Sequence, residues 1–270
     1  MLRLLIALWV FRFLGGLALR TYFDPDEYWQ VYEPVGKILA GHGELTWEWR
    51  EGLRSWVYPL IYAGFIRLAQ RLLPSFDSFT QMEWTVKAVN ALVTALIDLY
   101  CYKLAIKYTR YPKLALLVSM TSWFMFAYVN RSLSNSAETL LLAAAIYHRG
   151  LLKYYLIAFG SIIRPTAIIP WLLAPPRSLL FIKAFAQVNL LNILMDSWMY
   201  KQTMVASWKF FEFNLTRGLA RHFGTASVIY YPLVAIPAMT GTFMLHALIG
   251  LFYTPWKLLR HIISPLIVYS

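Results

Sequence analysis

Hydrophobic residues form long runs that cover most of the chain, separated by short polar segments. Between Phe223 and Trp256 there is no Asp, Glu, Lys or Arg, and this run exceeds the roughly 20 residues that cross a bilayer once. The candidate spans are residues 2–20, 56–73, 84–106, 114–130, 134–148, 151–173 and 179–199, with one or two more within 225–254 and a short apolar tail at 262–269. The pattern predicts an all-α polytopic membrane protein, with residues 1–270 as one domain of about eight to ten spans.

Composition agrees with residence in a membrane. Of the 270 residues, 59% are hydrophobic and 14% are charged, against about 25% charged in a typical soluble domain. The net charge is +12, but Lys and Arg punctuate the apolar runs instead of forming a basic patch interleaved with aromatic residues. This placement favours lipid headgroups as partners and argues against nucleic acid. The single cysteine, Cys101, lies in an apolar run and excludes an intrachain disulfide.

The first apolar run is predicted to be a retained membrane helix. Arg12 interrupts it, and no cleavage site of the A-x-A type follows. If every later run crossed the membrane once, the basic cluster from Lys103 to Lys113 would lie outside, against the positive-inside rule. Either one run is re-entrant or the count of spans is wrong, and the sequence leaves both alternatives open.

The segment from Thr21 to Trp56 is the most informative part of the chain. It holds seven of the thirteen acidic residues and four of the eleven tryptophans, but only three Lys or Arg residues. This excess of acid predicts a loop on the lumenal side. Apolar residues from Tyr28 to Leu39 recur at steps of three and four, which predicts an amphipathic helix at the membrane surface. Asp24 before Pro25 is its expected N-cap, and the helix should end near residues 41–43.

Three carboxylates at the start of this helix are the first candidates for chemistry: Asp24, Asp26 and Glu27. The positive end of a helix dipole favours the ionised form of such groups. An ionised carboxylate there is suited to act as a general base on a sugar hydroxyl or to bind a cation. The alternative is that they only cap the helix and carry solvated charge.

A second group combines tryptophan with charge later in the loop: Trp47, Glu48, Trp49, Arg54 and Tyr58. Flat aromatic rings beside Glu and Arg are typical of carbohydrate recognition, since the rings cover C–H faces and the charged groups bind hydroxyls. Tryptophans that form a belt at the membrane interface are the alternative.

Polar residues inside or beside apolar runs form a third group: Arg131, Asn135, Glu138, Arg164 and Asp196. Ionisable groups at membrane depth are expensive, so each is a functional candidate. Arg164 is suited to hold a lipid phosphate, whereas a simple pairing of Glu138 with an arginine is the structural alternative. No His/Cys cluster has the spacing of a metal site, so no metal is expected.

The order of several motifs resembles the dolichyl-phosphate-mannose-dependent mannosyltransferases of the endoplasmic reticulum. The motifs, in chain order, are TYFDPDEYWQ at 21–30, TWEW at 46–49, RSWVYP at 54–59, RSLSNSAE at 131–138, RPT at 164–166, DSW at 196–198, FEFN at 211–214 and FGT at 223–225. The chain departs from the family pattern after Thr225, where a His-Pro-Trp-His block is replaced, and at 257–260, where Arg260 survives without the usual acid.

The resemblance implies a GT-C helix bundle in the endoplasmic reticulum membrane with a lumenal active site under the first loop. It implies transfer of mannose from dolichyl phosphate mannose to a glycolipid acceptor, without a further cofactor. The base would be Asp26, or else Glu27, with Asp24 a weaker third, and Arg164, Arg131 and Arg260 would meet the phosphate. The DEYWQ spelling is nearest to the members that add the third mannose, α-1,2-linked, of the glycosylphosphatidylinositol (GPI) precursor.

Two rival functions stay open. A sister enzyme that adds a mannose to the dolichol-linked N-glycan precursor, or the fourth GPI mannose, would share the acids of the first loop. A lipid transporter or a non-catalytic membrane partner would need intramembrane polar residues but no carboxylate in that loop. The sequence predicts no particular protein subunit.

Overall fold

The computed structural model describes residues 1–74, 78–219, 227 and 229–269, and within them every regular element is helical, as predicted. The α-helices are α1 (Leu2–Ala18), α2 (Glu33–Ala40), α3 (Trp47–Arg50), α4 (Val57–Leu72), α5 (Ser78–Tyr108), α6 (Pro112–Thr121), α7 (Ser134–Tyr147), α8 (Gly150–Ile163), α9 (Leu179–Tyr200), α10 (Ala206–Phe211), α11 (Ile236–Thr240), α12 (Met244–Tyr253) and α13 (Trp256–Tyr269). Turns of π geometry lie at Tyr28–Tyr32, Met125–Val129, Glu212–Thr216 and Tyr231–Ala235, and 3-10 helices at Pro165–Trp171 and Gly241–Phe243.

Fewer helices are long enough to cross a membrane than the apolar runs predict. Among the described residues, three stretches qualify by length and hydropathy: Phe79–Tyr108, Leu179–Tyr200 and Tyr231–Tyr253. The described residues therefore contain fewer helices of that length than the expected count of about eight to ten spans. Apolar runs do not reveal breaks: the run at 114–130, for example, divides into α6 and a π turn around the extended residue Ser122.

The predicted span at 151–173 is a hairpin. Helix α8 ends at Arg164, whose backbone is extended (φ −140°, ψ 119°), because the following proline disfavours a helical conformation at the residue before it. The 3-10 helix then returns along α8, so that Trp171 packs against Ile157 and its ring lies 4.6 Å from Lys153 Nζ. This hairpin places Arg164 at its tip.

Helix α4 begins and ends beside the first loop. At its start the Trp56 ring lies 4.6 Å from that of Trp49, and near its end Arg67 Nη2 donates to the Leu39 carbonyl at 3.0 Å. Both Trp49 and Leu39 belong to the first loop, so both ends of α4 contact that loop. It is buried against the start of α5 by a cluster that includes Val31, Val35, Tyr62, Ile66 and Val86.

Two segments of opposite charge lie at opposite ends of α5. Helix α5 has 31 residues and therefore extends about 46 Å at 1.5 Å per residue. Its first turns pack beneath the first loop, so the basic cluster from Lys103 to Lys113 lies at the opposite end. If α4 stays on the side of the first loop, this placement agrees with the positive-inside rule.

A buried ion pair fastens α1 to the bundle. Arg12 and Asp98 are both 0% exposed, with Nε 2.8 Å from Oδ2 and Nη2 2.9 Å from Oδ1. Ser119 Oγ donates to Asp98 Oδ1 at 2.6 Å, which joins α6 to the pair. The pair thus links α1, α5 and α6 at a depth where unpaired charges are costly.

The amphipathic helix of the first loop forms as predicted. Asp24 Oδ1 accepts from the backbone N–H of Asp26 at 2.9 Å, which confirms Asp24 as the N-cap. The helix continues through the π turn into α2 and ends at Gly41, whose positive φ of 73° suits glycine at this position.

Candidate active site

The larger of two described cavities lies between the first loop and the tip of the α8 hairpin. Its volume is about 600 Å³, within the range of small-molecule sites. The residues from the predicted set that line it are Asp24, Asp26, Trp47, Glu48, Trp49, Arg54, Tyr58 and Arg164. The fold therefore brings residues from four separate motifs to one cavity.

Asp26 presents its carboxylate to this cavity. Its side chain is 41% exposed, and Oδ2 lies 3.4 Å from Arg54 Nη2. Oδ2 also accepts from Gln30 Nε2 at 2.5 Å. Within the described part of the chain, both of these side-chain contacts fall on Oδ2. Asp26 is thus held at the wall of the cavity through its Oδ2 atom.

Glu27 is directed elsewhere. It is only 7% exposed, and it lines the second cavity instead of the first. Its Oε1 accepts from the backbone N–H of Phe23 at 2.7 Å and lies 3.0 Å from Arg131 Nη1. With Asp24, it forms the reciprocal capping arrangement typical of a helix start. The structure therefore places Glu27 and Arg131 in an anchor of the loop, away from the cavity for which both were predicted.

Gln30 is a site residue that the sequence reasoning did not single out. Besides its bond to Asp26, its Oε1 accepts from the backbone N–H of Ser134 at 2.9 Å, and the side chain is almost fully buried. Gln30 thus joins the proposed base to the start of α7. Its spacing of four residues from Asp26, one helical turn, is the signal that would have found it.

Arg164 is oriented by α7. Its Nη1 donates to Ser134 Oγ at 3.1 Å and to Asn135 Oδ1 at 3.0 Å, and its Nε lies 3.0 Å from Glu138 Oε2. Thr166 Oγ1 donates to the other oxygen of Glu138 at 3.2 Å. Asn135 and Glu138 do not line the cavity and instead hold the guanidinium in place, so the pairing considered as an alternative for Glu138 is present. Arg164 itself still reaches the cavity, with about a quarter of its side chain exposed.

Arg54 supplies a second cation. Its Nε lies 2.7 Å from Glu48 Oε2, and its Nη2 approaches Asp26. The Tyr200 hydroxyl donates to the Arg54 carbonyl at 2.7 Å, which ties this segment to the end of α9. Glu48 and Arg54 therefore form a fixed charged rim on the cavity.

The aromatic residues divide into an exposed ring and buried anchors. Trp47 is 40% exposed and lies 5.2 Å from the Phe213 ring across the cavity. Trp49 is 2% exposed, and its Nε1 donates to the Trp29 carbonyl at 2.9 Å. Tyr58 is also buried, with its hydroxyl 3.1 Å from that of Tyr62. Trp47 is thus the most exposed of these three rings at the cavity.

Two further predicted residues also lie outside this cavity. Asp196 is 0% exposed and accepts from the Trp56 backbone N–H at 2.9 Å and from Ser55 Oγ at 3.1 Å, so it fixes the segment behind Arg54. Arg260 lies in α13 next to His261, which hydrogen-bonds the Pro170 carbonyl at 2.8 Å. That contact is at the open end of the α8 hairpin, remote from Arg164. The FGT motif at 223–225 lies outside the described residues. The segment 226–230, where the sequence differs from the family pattern, begins outside them as well, at Ala226.

Part of the cavity wall comes from the FEFN region after α9 and the residue before it, through Phe210, Phe213 and Asn214. This region carried a motif but no assigned role. Among the described residues, no group of three or more His, Cys, Asp or Glu side chains is placed to hold a metal ion.

Comparison with known proteins adds the family context. The profile of the Alg9-like mannosyltransferase family matches residues 3–270. The chain is 32% identical to GPI mannosyltransferase 3 of Yarrowia lipolytica over 92% of this chain and 53% of that protein. It is 30% identical to GPI alpha-1,2-mannosyltransferase 3 of Homo sapiens, over 96% of this chain and 51% of that protein, and 30% identical to GPI mannosyltransferase 3 of Drosophila melanogaster, over 94% and 47%. The chain thus spans about half the length of these relatives. No solved structure matches.

Proposed function

Because the chain belongs to the Alg9-like mannosyltransferase family, we propose that it transfers mannose from dolichyl phosphate mannose to the GPI precursor, adding the third mannose through an α-1,2 link. The names of its relatives support the acceptor and the linkage. The observation that carries the proposal is the placement of the Asp26 carboxylate in one cavity with Arg54 and Arg164. In transfer from a lipid phosphate, a base accepts the proton of the attacking hydroxyl and cations stabilise the phosphate that leaves.

In the proposed reaction, Asp26 acts on the acceptor hydroxyl, and Arg54 and Arg164 act on the donor phosphate. The oxygen of the acceptor hydroxyl forms a bond to C1 of mannose, and Asp26 accepts the proton of that hydroxyl. The bond from C1 to the phosphate oxygen of the donor breaks, and its electron pair leaves with dolichyl phosphate. Arg164 and Arg54 stabilise the charge that develops on that phosphate. Attack on the face opposite the leaving group inverts C1, and Trp47 covers a C–H face of the sugar. The proposed route includes no metal.

The charge distribution supports a lumenal site in the endoplasmic reticulum. The acid-rich loop lies at one end of α5 and the basic cluster from Lys103 to Lys113 at the other, and the basic end is expected in the cytosol. A glycosylation acceptor sequence inserted near Gly43 is expected to be modified in microsomes, whereas one inserted near Tyr111 is expected to stay unmodified. The reverse result would contradict the orientation.

The function is tested by complementation of cells that lack the third GPI mannosyltransferase, followed by analysis of the lipid intermediates. Restoration of surface GPI-anchored protein, with disappearance of the two-mannose intermediate, is the expected result. Rescue instead of cells blocked at the fourth GPI mannose or in N-glycan assembly would assign a sister reaction. Accumulation of the protein in the membrane without rescue of any of these cells would favour the transporter or partner reading.

A further inference from the structure

A second cavity, of about 480 Å³, lies behind the first loop, on the side to which Glu27 points. It is enclosed by the end of α1, the start of the loop helix, the first part of α5 and the segment before α7. The residues used in the argument below are Arg20, Glu27, Tyr32, Glu83, Lys87 and Arg131. Nothing in the proposed transfer reaction uses this space.

Its charges leave one cation without a partner. Arg131 Nη1 lies 3.0 Å from Glu27 Oε1, and Lys87 Nζ lies 2.8 Å from Glu83 Oε1. These pairs neutralise both carboxylates of the wall. Arg20 contacts no acidic side chain among the residues described, and its side chain is exposed at the cavity. The cavity therefore has a net positive charge, centred on Arg20.

Three further hydrogen-bond donors lie near Arg20 in this cavity. Lys87 has three N–H bonds, so it can keep Glu83 and still donate to a ligand. Asn90 Oδ1 accepts from Tyr62 OH at 2.7 Å, which leaves its N–H group as a donor. Burial and the nearby Glu83 raise the pKa of Tyr32, so its hydroxyl stays protonated at neutral pH. An ammonium, an amide and a phenol beside a guanidinium are suited to phosphate oxygens.

The position of the cavity relates it to a lipid. Arg20 follows directly after α1, where a membrane helix reaches the headgroups. Along α1, Ile6, Val10 and Leu14 are 52%, 42% and 60% exposed, and they leave an apolar strip below Arg20. A phospholipid whose phosphate binds Arg20 can therefore place its acyl chains along this strip. A free phosphate would use the same donors but not the strip.

From this combination, we propose that the second cavity binds the phosphate of a net-anionic lipid headgroup, with Arg20 as its main contact and Lys87 as its second. Binding is separate from mannosyl transfer and is measured without it. The wall has three cations and two carboxylates, and both carboxylates are already paired. An anionic headgroup is therefore favoured over a zwitterionic one, whose choline or ethanolamine would need a carboxylate as a partner.

The test uses the full chain in non-ionic detergent, titrated with dioctanoyl phosphatidylglycerol and, in parallel, dioctanoyl phosphatidylcholine. The protein should bind phosphatidylglycerol about tenfold more tightly than phosphatidylcholine, which corresponds to one hydrogen bond between charged groups. Arg20→Gln should abolish this preference, and Arg20→Lys should restore part of it. Arg71→Gln, which changes an exposed arginine of α4 that does not line the cavity, should preserve it. Melting curves of each variant show that the fold is retained.

Inorganic phosphate separates the two sources of the ligand. Failure of millimolar phosphate to compete, together with loss of the preference in Arg20→Gln, supports a phosphate carried by a lipid. Full competition would instead assign the cavity to free phosphate and overturn the lipid as occupant. Equal affinity for both lipids, or an unchanged preference in Arg20→Gln, would overturn the site itself.

Discussion

Asp26 and Glu27 are consecutive residues whose carboxylates lie in two different cavities. Successive side chains on a helix differ in direction by about 100°, so neighbours in sequence reach opposite sides of the loop. Asp26 faces the cavity with Arg54 and Arg164, whereas Glu27 closes a buried ion pair with Arg131. The structure thus separates the carboxylate proposed as the base from one that anchors the loop.

The anchoring role predicts that Glu27→Gln destabilises the protein. The change leaves the buried Arg131 without a counter-charge, and breaking such a pair costs about 3 kcal/mol. The measurement is thermal unfolding in detergent, with Glu51→Gln, an exposed acid of the same loop, as the control. If Glu27→Gln unfolded at the same temperature as the unaltered protein but no longer transferred mannose, Glu27 would be a reacting group and the division of roles would be wrong.

Arg164 is expected to act on the donor. Arg164→Ala removes the cation held at the tip of the α8 hairpin, and the apparent KM for dolichyl phosphate mannose should rise about tenfold or more. Arg164→Lys should be milder, because it keeps the charge but not the guanidinium geometry. Donor titration with purified protein measures this, with Arg50→Ala as an exposed control. An unchanged KM in the alanine variant would leave Arg164 with its pairing to Glu138 alone.

Gln30 is predicted to position Asp26. Gln30→Glu keeps the oxygen that accepts from Ser134 but replaces the donor to Asp26 with a buried like charge. The kcat of the folded protein should therefore fall about tenfold or more, and the melting temperature should fall as well. Gln30→Leu loses both bonds and should lower both quantities. Should Gln30→Glu transfer mannose at the normal rate, the bond to Asp26 would have no part in catalysis.

The Arg12–Asp98 pair is predicted to matter for stability. Asp98→Asn leaves a buried guanidinium unpaired, which costs about 3–5 kcal/mol. Replacing both residues by leucine removes both charges, and the double variant is expected to be more stable than either single variant. Denaturation in detergent measures this. A double variant as unstable as the sum of its single changes would contradict the coupling.

Much of the fold could be predicted from the sequence, because its signals are local. Apolar periodicity and the Asp24-Pro25 start were enough to predict the loop helix and its N-cap. The tertiary pairing was not accessible: nothing in the runs around Arg12 and Asp98 shows that they meet, and α4 looks like a span until its contacts with Trp49 and Leu39 are known. Likewise, the DPDE motif alone does not tell which carboxylate faces the substrate.

Transfer of mannose by Asp26→Asn is the most direct test of the account. This substitution keeps the size of the side chain and removes the proton acceptor, and a positioned base contributes about 10²–10⁴-fold in rate. Transfer from labelled dolichyl phosphate mannose, normalised to protein level, should fall by about that factor, while Asp24→Asn loses only a helix cap worth about 1 kcal/mol. The account predicts a folded, inactive Asp26→Asn protein; near-normal transfer by that variant would contradict it.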